Sequence, residues 1–185
     1  EMTKAAADAQ NKLMIAKCYP RDENKALSKM LDVCSRRNFA EKAFYNFSRG
    51  GGSVSGLSIR AAEEMARLWG NLEYGIRELS ESEGKSEMQA FCWDLETNTM
   101  STQNFTNKHA RDVKGSVQQL TSLRDIYEIN ANMGARRLRA RILAILPDYV
   151  VEEVISACKD TLRGKSTKPL IDRVNDMVAQ FKKLG

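Results

Sequence analysis

Histidine is almost missing from this chain, with His109 alone, and the four cysteines Cys18, Cys34, Cys92 and Cys158 stand far apart without a CxxC pair. A structural zinc module needs four such ligands at close spacing, so that class is excluded. Catalysis by a histidine and a nucleophile has one imidazole to draw on, and no partner stands at motif spacing from it. No apolar run approaches the roughly 20 residues needed to cross a bilayer, and no signal-peptide pattern opens the chain. These absences describe a soluble protein expected in the cytoplasm, with Cys34, Cys92 and Cys158 as reduced core residues among apolar neighbours. A start at Glu1 instead of methionine reads as a piece of a longer chain.

Phosphate-binding loops are also lacking. Gly50-Gly51-Gly52-Ser53-Val54-Ser55-Gly56 has neither a Lys-Ser/Thr ending nor GxGxxG spacing after a strand, and Gly164-Lys165-Ser166 lacks the first glycine of a P-loop. Nucleotide hydrolysis therefore has no motif to stand on, and no cofactor is expected. Asp94 and Glu96 are close enough to hold a divalent ion as a nuclease requires, but no lysine follows at catalytic spacing. Exposed acids at a strand end are the plainer reading.

What the chain has is arginine. Hydrophobic residues at 42% and charged residues at 29% describe a globular protein, and the positive charge is unevenly placed. Lys108 to Arg141 carries Lys108, Arg111, Lys114, Arg124, Arg136, Arg137, Arg139 and Arg141 against Asp112, Asp125 and Glu128 alone, which accounts for the whole net charge of +5. Local concentration of this kind fits a polyanionic partner. In Asn130 to Pro147, four guanidinium groups fall within six residues while an apolar stripe persists. At 100° per residue Tyr127, Ala131, Ala135, Leu138, Ile142 and Ile145 share one face, and Asn130, Arg137 and Arg141 a neighbouring one. Such a helix can sit in a core and still offer forked donors to phosphate, although a solvated basic face is the bland alternative.

The order of elements is helices, three strands, a long helix, more helices. Asp22 caps a helix to about Arg36, an aromatic helix follows through Phe39, Ala43, Phe44 and Phe47, and residues 50–56 form the most flexible segment. Ser58 caps a helix closed by Gly70. Alternation then marks strands through Leu72–Arg77, Glu87–Glu96 and Met100–Phe105, joined by polar turns at Ser80–Ser86 and Thr97–Asn98. Phe91 and Trp93 share one strand face, with Phe105 near them, either as core or as a platform for stacked bases. Lys108–Gln119 reads as a basic loop or short helix, and Thr121 or Ser122 caps the arginine helix, which ends before Pro147. Asp148 opens a helix to about 162, and Thr167 with Pro169 a last one. The fold class is α+β, a three-stranded antiparallel meander packed by a long helix, in a single domain 1–185 divided into helices 1–49, a core 50–162 and a linker with C-terminal helix 163–185.

Met133-Gly-Ala-Arg-Arg-Leu-Arg-Ala-Arg-Ile-Leu-Ala-Ile-Leu-Pro147 resembles the basic helix of the RecT/Redβ phage single-strand annealing proteins, a Met-led cationic run ending in Leu-Pro. Arg136 and Arg141 match basic positions of that family, whereas Ala135 and Ala140 stand where it often has a cation. Gly56–Asn71 also looks like phage recombination proteins. The β-β-β-α order is similar to the core shared with eukaryotic annealing and recombination-mediator proteins, over about residues 50–162. The resemblance implies ATP-independent annealing of complementary single strands by rings or helical filaments, with the backbone in a basic groove. It implies as partners single-stranded DNA, the annealed duplex, further copies of the chain, and a partner exonuclease or host single-strand binding protein in a bacterial cell. The DNA contacts expected are Lys108, His109, Arg111, Lys114, Arg136, Arg137 and Arg141, with Arg60 beside the Gly-rich segment a further candidate. Arg139 points differently on the helix and is assigned to a subunit contact.

Overall fold

The computed structural model describes residues 2–49, 52–113 and 115–164. Residues 165–185 lie outside them, and with them all but the first two residues of the linker and last helix expected over 163–185, as do Lys114 and the Gly50-Gly51 pair. Three helices open the chain, α1 (Met2–Cys18), α2 (Glu23–Cys34) and the short α3 (Arg37–Ala40). Asp22 caps α2 as its sequence position demands, its carboxylate accepting from Lys25 N at 2.9 Å.

The first departure comes next. Residues 44–57 form an antiparallel hairpin, β1 (Phe44–Arg49) paired with β2 (Gly52–Leu57), where an aromatic helix and a flexible segment were expected. The spacing of Phe39, Ala43, Phe44 and Phe47 matches a helix by coincidence. Two runs flanking a Gly-rich centre are a hairpin signal, and glycine serves the pairing itself: a Cβ on Gly56 would stand 2.8 Å from Tyr45 Oη. Ser58 then caps α4 (Ile59–Trp69) through a bond from Ala61 N, and Gly70 ends it at φ +80°.

The meander is present as read, with the first and third strands longer and the second set two residues earlier: β3 (Leu72–Ser82), β4 (Lys85–Asp94) and β5 (Thr99–Lys108), in the order β3-β4-β5, all antiparallel. The first turn shrinks to Glu83-Gly84. Residues 110–119, expected as loop or helix, form a second hairpin of β6 (Ala110–Val113) and β7 (Ser116–Gln119). Its turn is set by Gly115 at φ +84° and by Asp112 Oδ1 accepting from Gly115 N at 2.9 Å, turn chemistry that outweighs the helix-permissive lysines. The long helix α5 (Leu123–Leu143) and α6 (Asp148–Leu162) complete the described chain.

Helix α5 lies between the sheet and α4, so the architecture is a three-stranded sheet covered by α5 with the other helices flanking. Leu138 and Ile142 enter a core shared with Ala90 and Cys92 of β4, Met65 and Trp69 of α4, Met30 of α2 and Val150 and Val154 of α6. The buried face of α5 is Asn130, Gly134, Leu138 and Ile142, and Tyr127, expected inside, is 71% exposed. The rotation has two causes. Gly134 lets the helix come so close to β3 that an added Cβ would sit 2.9 Å from Ile76 Cδ1 and Cγ2. Asn130 is drawn inward by a polar network described below.

Phe91 and Phe105 do not share a face. Phe91 lies on the side away from α5, buried beneath the Arg77 guanidinium, whose carbon is 4.0 Å from the ring centre. Phe105 faces α5, and half-buried Trp93 donates from Nε1 to Asn98 Oδ1. Cys34, Cys92 and Cys158 are buried, free thiols. Burial, reinforced by the Asp94 carboxylate, pushes the Cys92 thiol up to about 12, so it stays protonated. Among the described residues no helix is long and apolar enough to cross a membrane.

Candidate nucleic-acid interface

The four arginines of α5 go to three different places, because residues 136, 137 and 139 point in different directions on a helix. Arg137 and Arg141, one turn apart, reach over the edge strand β5. The Arg137 guanidinium carbon is 4.7 Å from the centre of the Phe105 ring, and its Nη1 donates to Met133 O at 3.4 Å. Arg141 Nη1 donates to Ser101 Oγ at 3.2 Å. Both Nε atoms are buried without a hydrogen-bond acceptor, and neither guanidinium has a carboxylate within 4 Å among the described residues. Two half-buried cations thus lie side by side on a sheet edge, held by an aromatic face and a hydroxyl.

Arg136 is exposed and shares a groove of about 450 Å³ with Arg111, floored by Leu120, Ile129 and Met133. Asp125 and Glu128 border the same groove, so its charge is mixed. Arg111 is aligned along its hairpin by Nε donating to Gln118 Oε1 at 3.3 Å. Lys108 is exposed at the end of β5, opposite Lys85 in the ladder. Arg139 turns the other way and stacks on Tyr45 of β1, 4.2 Å from the ring centre, which ties the first hairpin to α5 within one chain. Arg60 is exposed on the first turn of α4, on an element apart from the others. The structure therefore gathers Arg137 with Arg141 and Arg111 with Arg136, and leaves Lys108 and Arg60 as separate exposed charges.

His109 does not belong with them. It is 4% exposed, and its Nε2 shares a hydrogen bond of 2.8 Å with Ser86 Oγ. Asn130 Nδ2 donates to the same hydroxyl at 3.0 Å, and Asn107 Nδ2 donates to Asn130 Oδ1 at 2.6 Å. The backbone of His109 also donates to Gly84 O and accepts from Leu120 N, both at 2.8 Å. A buried side chain whose ring is bonded to Ser86 of β4, and whose backbone is bonded to the β3–β4 turn and to Leu120 just past β7, cannot reach a phosphate. The basic sequence around it placed it wrongly, because Lys108 and Arg111 face solvent while His109 faces in.

Asp94 and Glu96 also have partners that sequence spacing could not show. Arg21, from the turn between α1 and α2, donates through Nη2 to Asp94 Oδ1 and through Nε to Glu96 Oε1 at 2.8 Å, while its backbone N reaches Glu96 at 2.9 Å. Asn71 Nδ2 adds a bond to Glu96 at 2.6 Å, and Asp94 Oδ1 accepts from Glu96 N at 2.9 Å. Burial pushes the Glu96 carboxyl up, but the bonds from Asn71 and Arg21 outweigh it and hold it below the ordinary range. These oxygens bind an arginine, which lies 7% exposed over Trp69, and are not arranged to receive a metal ion. No protein family, curated protein or solved structure matches the chain.

Proposed function

We propose that this protein binds single-stranded DNA and anneals complementary strands without ATP, acting as a homo-oligomer in recombination. The observation that carries the reading is the pair Arg137 and Arg141, two half-buried guanidiniums with unused Nε donors and no carboxylate partner among the described residues. Holding cations in partly dehydrated surroundings is costly unless an anion completes them. Phosphate suits the planar fork of arginine, and a polynucleotide supplies phosphates at regular spacing.

Arg111 with Arg136, in the groove between the second hairpin and α5, and the separate exposed Lys108 at the end of β5 offer further cations. Annealing needs two repelling backbones neutralised while the Watson–Crick edges stay free, so contacts made by Lys and Arg to phosphate are the useful kind. No covalent bond changes, and the reading calls for no catalytic group. The resemblance of Met133–Pro147 and the β-β-β-α order to phage annealing proteins supports the same reading.

The test is to mix the protein with complementary labelled oligonucleotides in the absence of nucleotide and magnesium. Accelerated pairing is expected. Retention of both strands without pairing, or cleavage on adding Mg²⁺, overturns it.

A further inference from the structure

A second cationic groove lies where α2, α3 and α4 meet, and it shares no residue with the surface of α5. It is an open groove of about 900 Å³ lined by Arg36, Arg37, Lys42 and Arg67, with the acid Glu64 and the apolar Val33 and Phe39 among them. Two of these cations hold carboxylates of their own: Arg37 Nε donates to Glu41 at 2.9 Å, and Arg67 donates to both oxygens of Glu64, through Nε at 2.9 Å and through Nη2. Arg36 and Lys42 make no ion pair among the described residues. Hydrogen bonding from Arg67, aided by the charge of Arg36, holds the Glu64 carboxyl below its ordinary range, so the fields of α3 and α4 overlap in this groove.

The groove is built on fixed backbone. The turn that carries Arg36 is closed by Arg36 N donating to Val33 O and Phe39 N to Arg36 O, and Lys42 is pinned by Ser58 Oγ donating to its carbonyl at 2.7 Å.

We propose that this groove is a second binding site for single-stranded nucleic acid, taking the backbone of a second strand on Arg36, Lys42 and the free donors of Arg37 and Arg67. The inference rests on the annealing reading above. A nucleic acid fits better than a single acidic side chain, because the cations come from α3, the turns on either side of it and α4 along an open trough, and half-buried Phe39 lines it with them. Cations tracking a backbone beside an aromatic ring form the device that holds single strands without regard to sequence. Two strands on one subunit turn the search for a complement into a local event at raised effective concentration.

The experiment uses the full chain and a thymidine oligonucleotide carrying 4-thiothymidine, photocrosslinked and mapped by mass spectrometry, with acetylation of Lys42 as a footprint. Two groups of cross-links are expected, one on α5 and β5, the other on residues 36–42, with Lys42 protected at saturation. Arg36→Glu with Lys42→Glu should remove the second group, keep the first and slow annealing at least tenfold. Cross-links confined to α5 and β5 with Lys42 unprotected overturn the proposal and leave the annealing reading standing. Cross-links on neither surface sink both. Protection of Lys42 by poly-glutamate but not by the oligonucleotide makes the groove a protein-docking surface and also overturns it. The footprint needs no substitution, so misfolding of the double variant does not decide the matter.

Discussion

The guanidinium carbon of Arg137 stands 4.7 Å from the centre of the Phe105 ring, which sets a helix cation over an edge strand. Stacking of this kind contributes roughly 0.5–1 kcal/mol at partly exposed sites, so the residue has a structural share as well as a binding one. Arg137→Ala and Arg141→Ala should each cost about 1 kcal/mol or less of stability, in line with surface substitutions and a lost ring contact. Affinity for single-stranded DNA should fall markedly in both. Leu138→Ala and Ile142→Ala, whose side chains are buried against β4 and α4, should cost roughly 2–5 kcal/mol and leave the affinity of the folded fraction near normal. Thermal melts and DNA titrations on the four variants check the contrast. Arginine variants that unfold yet bind normally when folded would show these cations to be structural.

Binding should be electrostatic and indifferent to sequence. On single strands the logarithm of affinity should fall with the logarithm of salt at a slope of roughly −0.7 per phosphate neutralised. Arg137→Ala should make that slope shallower by about the same unit. A titration unchanged between low and physiological ionic strength would contradict the phosphate contacts.

Arg21 supplies a pH dependence. Glu96 has its carboxyl held below the ordinary range when folded, so its pairing stabilises the fold at neutral pH and that stabilisation is lost as pH falls through the folded value. Removing the shared partner by Arg21→Ala leaves Asp94, 5% exposed, without its cation, at a cost of about 3–5 kcal/mol if the pair behaves as a buried one. Melts from pH 7 to pH 3 should show the wild type losing stability in acid. The variant, already weakened at pH 7, should lose less over the same range. Equal acid sensitivity in both proteins would mean that the Arg21 cluster is not what titrates.

Assembly follows from the sheet. Strands β3 and β5 are both edges, and the outer half of β3, from Ile76 onward, is exposed. Exposed Leu79, Val117, Leu123 and Tyr127 add apolar surface. Edges of this kind need cover or a partner, so light scattering should show oligomers whose size depends on DNA. A monomer at all concentrations, with and without DNA, would count against the oligomer.

Caps and alternation were readable because they are local. Asp22, Ser58 and Gly70 act on neighbours within a turn, and the meander announces itself through period-two burial that ends in Met88, Ala90 and Cys92 facing the core. Pairings across distance were not readable. The use of Arg21 on Asp94 spans 73 residues, and the burial of His109 depends on Ser86, 23 residues away. The face of α5 was misjudged for a related reason: hydrophobicity chose Tyr127, whereas close approach and hydrogen bonding chose Gly134 and Asn130. That approach is itself open to measurement.

Gly134 trades helix propensity for contact with β3. Alanine would favour the helix by roughly 1 kcal/mol, but its Cβ would lie 2.9 Å from both Cδ1 and Cγ2 of Ile76. The second of these atoms is fixed on a β-branched carbon and cannot swing away without turning the whole side chain. Overpacking typically costs 1–3 kcal/mol, so Gly134→Ala should be net destabilising by about 1 kcal/mol, and it should weaken DNA binding because Arg137 and Arg141 ride on the same helix. Ile76→Ala removes both obstructing atoms at modest cost, since Ile76 is 37% exposed. In that background Gly134→Ala should become neutral or stabilising, and the coupling between the two sites should exceed 1 kcal/mol in a double-mutant cycle. Additive effects would show that α5 does not depend on this contact for its seat on the sheet.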